Sequence, residues 1–581
     1  MAEDVPLSMT TFLREFRADM NRSFEAVNAR LDSVEQQLRD LTGRGRPLDP
    51  TPKRGGGRRN KGRKQTREQQ QPLLKVQQQQ LDATNSSDPG ESLAHICRYL
   101  PVVEFMKLRA VSRRWKQLID ECPALMERAG IMIYRRHTAE LDTTYEPKCL
   151  PPAVTRLLTV NVDIISVAHW WSTVGQRLVH LELFRETIQE SVLLDLLSQT
   201  PRLKSLRLII PVIRSNNAKS HDIVQLDNLE SLQGYNHNDK ILLKLYCPRL
   251  KQLTCYRGEP AKQWLDTTKD TLEELNVQAF PINTVNFFAT LVELKNITKL
   301  KIQAAMTSKE FQEMMIVIGT NMPKLTSLIC LQHSSKEVPL FRSYLDLACM
   351  RSLTKLENLQ IGSDGFVIDC NLLQIGALQK VCFVGFSLIN STKFLSTSPD
   401  IRSASFGQCR FDGWLEMFVA IAAQHPSLLR LEIRSCSVVD DVDFPFFNLK
   451  PIMQNFKELR YLTLSRTKIP KTMLKLLLSC CPKVVELHVY HMNNFDDELV
   501  SIVCQHMKHL RVLVVSECNI TDTAKNDVTV NCQMLAQFDI VDCSKETPND
   551  YEDLTKFHRL FGRLSHNDEI NHYFDPTYVL F

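Results

Sequence analysis

The chain has 581 residues, a formal net charge of +5, 43% hydrophobic residues and 24% charged residues. A single hydrophobic core stops growing near ~250–300 residues, so this length excludes one compact domain and calls for several domains or a repeat array. Residues 43–68 carry ten Lys/Arg against Asp49 and Glu68, a net +8, which leaves −3 on everything else and excludes a uniformly basic protein. Residues 1–11 contain acids and no apolar core, so no secretory signal is expected. The chain has no run of 18 apolar residues, so no membrane span is expected either. Its 17 cysteines include no CxxC pair, which argues against a zinc ribbon or a disulfide framework. Reduced thiols used as small buried hydrophobes fit better, placing the chain in the nucleus or the cytoplasm.

In residues 13–41, Leu13, Phe16, Met20, Phe24, Val27, Leu31, Val34, Leu38 and Leu41 recur at helical steps, with a heptad seam from Phe24 onward. The segment (1–42) reads as a short homodimeric coiled coil or as a lone amphipathic helix. Residues 43–87 are rich in Gly, Arg, Lys and then Gln, and read as a disordered linker. Within it Lys53, Arg54, Arg58, Arg59, Lys61, Arg63 and Lys64 form a nuclear-signal candidate. Arg44-Gly45-Arg46-Pro47 matches the core of an AT-hook, but Leu48 and Asp49 follow where a basic continuation would be needed. Nucleic acid is therefore not the expected partner, and a solvated charged linker is the blander reading.

Residues 88–128 predict two helices, near 91–99 and 103–120, separated at Pro101. On the second, Phe105, Leu108, Val111, Trp115 and Leu118 recur at helical spacing. So small a unit cannot bury this many apolar side chains alone, so part of the face should be covered by a partner. A helical cap for a repeat array is the simpler alternative. Residues 129–153 read as a connector.

From residue 154 to 543 an L-x-x-L-x-L unit, often led by Pro, recurs. Its central apolar residue marks fifteen registers: Leu181, Leu206, Leu232, Leu253, Leu275, Leu300, Leu328, Leu359, Val381, Ala404, Leu431, Leu462, Leu487, Leu513 and Phe538. The spacings run from 21 to 31 residues, the leucine-rich-repeat period, and predict an α/β solenoid of about fifteen repeats with one strand and one helix each. Four units carry a cysteine five residues after the marker: Cys409, Cys436, Cys518 and Cys543. The units at Leu513 and Leu487 continue as CNITD and MNNFDDEL, where a small buried group is expected to close the turn and an acid to start the next helix. No metal or other cofactor is expected. The HxxH pairs His488/His491 and His506/His509 read as packing or surface histidines. Because side chains alternate along a strand, the marker's neighbours face the concave side. Arg430, Glu432, Arg434, Tyr461, Glu486, His488 and Tyr490 thus form a candidate substrate-binding patch, rich in the residue types of binding hot spots. The tail 544–581 is rich in aromatics and is expected to cap the last repeat or fold back toward the concave side.

The segment 88–125 resembles the F-box. Pro89, Glu91, Leu93, Ile96, Tyr99, Leu100, Glu104, Leu108, Arg109, Val111, Ser112, Arg113, Trp115, Leu118 and Ile119 match the pattern, as does the trailing Cys-Pro-Ala-Leu of 122–125. Asp88 and Ser92 depart from it, standing where the family has apolar residues. With the repeats behind it, the chain resembles the F-box/leucine-rich-repeat family: a small all-α F-box followed by a solenoid. The resemblance implies a substrate-recognition subunit of a Skp–cullin–F-box ubiquitin ligase. Pro89, Leu93, Ile96, Leu100, Leu108, Val111 and Trp115 would meet the Skp-type adaptor, which joins a cullin, and the repeats would hold a protein substrate. Such a subunit does no bond chemistry, consistent with the absence of P-loop, GxSxG and HExxH motifs. The alternative is a nuclear scaffold or chromatin-tethered binding module outside any ligase.

Overall fold

A computed structural model of the chain describes residues 113–122, 125, 130–141, most of 154–541, and 578–580. The segment 13–41, the basic linker, residues 88–112 and the tail 542–577 lie outside the described residues.

Arg113–Glu121 is a helix, with Ile119 and Leu125 fully buried beside its end. Beyond it the chain winds into a solenoid. Its short strands pair in parallel to form one continuous sheet, twenty strands among the described residues. The register follows the sequence markers at every step. Leu181 pairs with Leu206, Leu206 with Leu232, and Leu232 with Leu253. The same alignment carries through Leu359↔Val381, Val381↔Ala404 and Ala404↔Leu431 to Leu513↔Phe538. All markers but Phe538, which is half-buried at the end of the array, are at most 2% exposed. Stacking thus buries one continuous apolar spine that no single unit could hide.

The weak markers have a packing reason. Ala404 is small, and the space is filled two residues later by Phe406. That ring stacks on Phe383 of the previous unit, with centroids 6.4 Å apart. It also meets Phe411 edge-on at 5.3 Å. The aromatic run continues through Trp414 and Phe418 to Phe456.

Two expectations are corrected. The solenoid begins before residue 154: Gly130–Leu141 is a parallel strand in the same sheet, paired with Arg156–Ile164, with Ile131 opposite Leu157 and Leu157 opposite Leu181. Part of the 129–153 connector is therefore strand. Second, a helix does not follow every strand. The units starting at Leu359 and Val381 are only 22 and 23 residues long; among their described residues they carry the short strands Phe366–Asp369 and Ser387–Ile389 and no α-helix. These belong to a second, five-stranded parallel sheet, because an extended segment spans the unit in fewer residues than a helix. The described part of the tail, Tyr578–Leu580, pairs with Gly130–Met132 at the first strand; the rest of the tail, expected to cap the last repeat or fold back, lies outside the described residues.

The turns after six of the strands are built alike. The residue four beyond the marker takes a left-handed backbone at Gly385, Gln408, Ser435, Arg466, His491 and Glu517. Where the next residue is a cysteine, at Cys409, Cys436 and Cys518, it is buried. The Cys409 thiol donates to the carbonyls of Phe383 and Gly407, and the Cys436 thiol to those of Phe406 and Arg434. Asp496 caps helix Asp497–His506 through the Leu499 amide. In the next unit the cap is Thr521, and Asp522 sits in the first turn of the helix.

Candidate functional site

The predicted patch lies on three adjacent strands, Arg430–Arg434, Tyr461–Ser465 and Glu486–Tyr490. Their register places Arg430, Tyr461 and Glu486 in one row, Glu432, Thr463 and His488 in the next, and Arg434, Ser465 and Tyr490 in the third. The markers between these residues point into the core, so the rows lie on the opposite face of the sheet.

Most of the charge is internally compensated. Glu432 is the hub: Arg430 and Arg434 each reach its carboxylate at 3.3 Å, and the Ser405 hydroxyl donates to it at 3.3 Å. The Arg430 guanidinium also lies over the Tyr461 ring, 4.6 Å from its centroid. One row on, His488 Nδ1 and the Tyr490 hydroxyl are 3.0 Å apart. Burial lowers the His488 pKa against the pull of Glu486 and raises that of the Tyr490 phenol. Both are therefore neutral near pH 7. Thr463 and Ser465 are only 9% exposed, so the middle strand contributes chiefly Tyr461. Arg434 Nε is buried without a hydrogen-bond partner among the described residues, leaving one directed donor on this face.

At the outer rim, where chain enters the strands, the same repeats form an open pocket of about 470 Å³. Arg460, Tyr461, Lys483, Val485, His509 and Arg511 line it. Apart from Tyr461, sequence reasoning missed these residues as site residues because it followed only the positions flanking each marker. The signal lay in the same registers, two and four residues before the markers Leu462, Leu487 and Leu513. Tyr461 belongs to both the patch and the pocket.

The far rim follows the left-handed turns. His491 Nδ1 lies 2.7 Å from Glu517 and its Nε2 lies 3.2 Å from Arg466. His488 and His491 thus pair with neighbouring side chains. No group of three or more metal-binding side chains occurs among the described residues, and no described helix is long and apolar enough to cross a membrane. Of the predicted adaptor-binding residues, Pro89, Leu93, Ile96, Leu100, Leu108 and Val111 lie outside the described residues. Trp115 falls on helix Arg113–Glu121.

Comparison with known families matches the F-box domain over residues 89–125. No curated protein matches the chain. Among solved structures, the chain is similar to an internalin of Listeria monocytogenes at 15% identity, covering 68% of this chain and 87% of that one, with a TM-score of 0.33. It is also similar to a leucine-rich-repeat protein of Leptospira interrogans at 15% identity, covering 67% and 84%, with a TM-score of 0.37. A chain of the mouse RP105/MD-1 complex is 12% identical over 71% and 79%, with a TM-score of 0.36. The chain thus carries an F-box match immediately ahead, in sequence, of a solenoid of parallel strands in repeat register.

Proposed function

We propose that the chain is the substrate-recognition subunit of a Skp–cullin–F-box ubiquitin ligase. The F-box binds a Skp-type adaptor, the adaptor joins a cullin, and the concave face of the repeats holds a protein substrate. The observation that carries this reading is the F-box match at 89–125 immediately ahead of the solenoid. The patch around Glu432 supports the second half, because it combines Arg and Tyr, residue types enriched at binding hot spots. In this reading the chain is not an enzyme: it positions substrate lysines for a separately recruited conjugating enzyme.

Co-precipitation from cells is the direct test. The wild-type chain should recover a Skp-type adaptor and a cullin. Leu100→Ala with Trp115→Ala should lose both while circular dichroism remains unchanged. Arg434→Glu with Tyr490→Ala should lower substrate recovery and leave the adaptor in place. A wild-type chain that recovers no adaptor would remove the ligase reading and favour a scaffold.

A further inference from the structure

The last described repeats bring two thiols together. Cys504 lies in the final turn of helix Asp497–His506, and Cys532 follows directly on helix Asp522–Asn531 as its C-cap. Their sulfurs are 3.2 Å apart. Cys409, Cys436 and Cys518 instead aim their thiols at backbone carbonyls, and Cys330 and Cys481 are fully buried. Cys532 stands six residues before its marker, Phe538. In other units that position holds Met322, Phe456, Cys481 or Met507, each at most 1% exposed. Cys532 is only half-buried, and Val530 and Met534, two residues away on either side, are exposed. Cys504 is buried. Cys532 is thus the thiol a solute reaches, and Cys504 stands behind it. Charge falls in the same order. The Lys508 ammonium donates to the Cys504 carbonyl at 2.9 Å, and its positive charge favours a thiolate at Cys532. Asp527 acts on Cys504 and keeps that thiol protonated.

We propose that Cys532 and Cys504 form a peroxide-responsive modification site, in which hydrogen peroxide oxidises Cys532 and Cys504 resolves it into a disulfide. The Cys532 thiolate attacks one peroxide oxygen and the O–O bond breaks. The leaving hydroxide takes up the proton that Cys532 released and departs as water, so Cys532 becomes a sulfenic acid. The Cys504 sulfur then attacks the Cys532 sulfur. The S–O bond breaks, and the hydroxide leaves as a second water with the Cys504 proton. Two thiols are oxidised and one peroxide is reduced to two waters. The sulfurs need to approach by about 1 Å to reach the ~2.05 Å of a disulfide. The pair is not equipped to hold zinc, which takes four ligands in a structural site, because no group of three or more metal-binding side chains occurs among the described residues. The crosslink would join residues 28 positions apart and tie the last described helix to the one before it. A terminal repeat has a neighbour on one side only, so it opens most easily, and a covalent tie limits that opening. Strand Gln537–Val541 of the same unit extends the sheet two strands beyond Glu486–Tyr490. Oxidation therefore firms the end of the sheet that carries the candidate patch. The thiol site does not depend on the ligase reading.

The test uses the purified full-length chain, reduced, freed of reductant and treated with an equimolar amount of hydrogen peroxide. Remaining thiols are alkylated in denaturant, and peptides are mapped by mass spectrometry. The principal product should be a Cys504–Cys532 peptide pair two hydrogens lighter than the reduced peptides, and dithiothreitol should reverse it. Cys504→Ala should leave Cys532 as a sulfenic acid that dimedone traps, and Cys532→Ala should leave Cys504 reduced. Oxidation should slow hydrogen exchange over residues 522–541 at least about tenfold in the wild type and in neither variant. Circular dichroism checks that each variant is folded, and the wild-type map decides without them. The proposal is overturned if another cysteine pair is the principal product, or if Cys532 proceeds to a sulfinic acid without crosslinking. It is also overturned if Cys504 is oxidised as readily in Cys532→Ala as in the wild type, or if oxidation leaves exchange over 522–541 unchanged. Reaction with peroxide only after a chelator has stripped a bound metal would overturn it as well.

Discussion

The guanidinium of Arg430 stacks over the ring of Tyr461, and on its other side shares the Glu432 carboxylate with Arg434. Two cations from one strand are thus held by one acid between them and by one aromatic face on the next repeat. Glu432 and Arg434 are both largely covered, with side chains 17% and 20% exposed. Glu432→Gln keeps the shape and removes the charge that holds both arginines. It should lower stability by about 1–2 kcal/mol, less than the about 3–5 kcal/mol expected for a fully buried pair. Tyr461→Leu should cost about 0.5–1 kcal/mol through the lost cation–π contact. Urea denaturation followed by circular dichroism measures both. If Glu432→Gln is neutral, the acid is not the hub of this face.

The left-handed turn at Ser435 predicts an order among substitutions. Its φ is 51°, and its amide donates to the Ser465 carbonyl at 2.7 Å, tying one repeat to the next. A β-branched residue meets the steric penalty of this region, about 1–2 kcal/mol, whereas glycine does not. Ser435→Val should therefore be less stable than wild type, and Ser435→Gly equal or more stable. The reverse order in urea midpoints would mean that the turn is not left-handed in solution.

Much of this architecture was legible because the repeat obeys one spacing rule. The fifteen markers, including the degenerate Ala404, fall opposite one another in the sheet. The strand at Gly130–Leu141 was not legible, because it does not carry the L-x-x-L-x-L leader and the sheet recruits it by pairing. Helix loss in the units at Leu359 and Val381 was foreshadowed by their short spacing. At the site, strand alternation places Glu432 beside Arg430 and Arg434, but it could not reveal the pocket. Arg460 and Arg511 come together only through ladder geometry across an intervening repeat.

His180 gives the fold a pH dependence. Burial, aided by the positive charges of Arg156 and Lys204, lowers its pKa from 6.5 to about 4. Between those values the unfolded chain binds more protons than the folded one, so stability rises with pH across that window. The contribution is fully present above pH 6.5 and is lost as pH falls toward 4. His180→Gln should remove this part of the slope, leaving other acid-sensitive groups unaffected. Urea midpoints measured at intervals between pH 7 and pH 4 report it, and an unchanged slope in the variant would show that His180 titrates normally in the fold.

The thiols should differ sharply in reactivity. Cys330 and Cys481 are fully buried, and desolvation pushes both thiols far above their usual range. Cys504 and Cys532 stand apart, with sulfurs 3.2 Å from each other across neighbouring helical segments. A Cys504 thiol that donates to an ionised Cys532 stabilises that thiolate, so the Cys532 pKa is lowered while that of Cys504 is raised. Cys532 is also half-buried rather than sealed in the core. The thiolate is the reactive species, so limiting iodoacetamide should label Cys532 ahead of the buried cysteines in the native chain. Cys504→Ala removes the donor and should slow this labelling by shifting its pH midpoint upward. Peptide mapping by mass spectrometry across a pH series measures both effects. Labelling of Cys330 or Cys481 before Cys532 without denaturant would contradict the packing of the solenoid core.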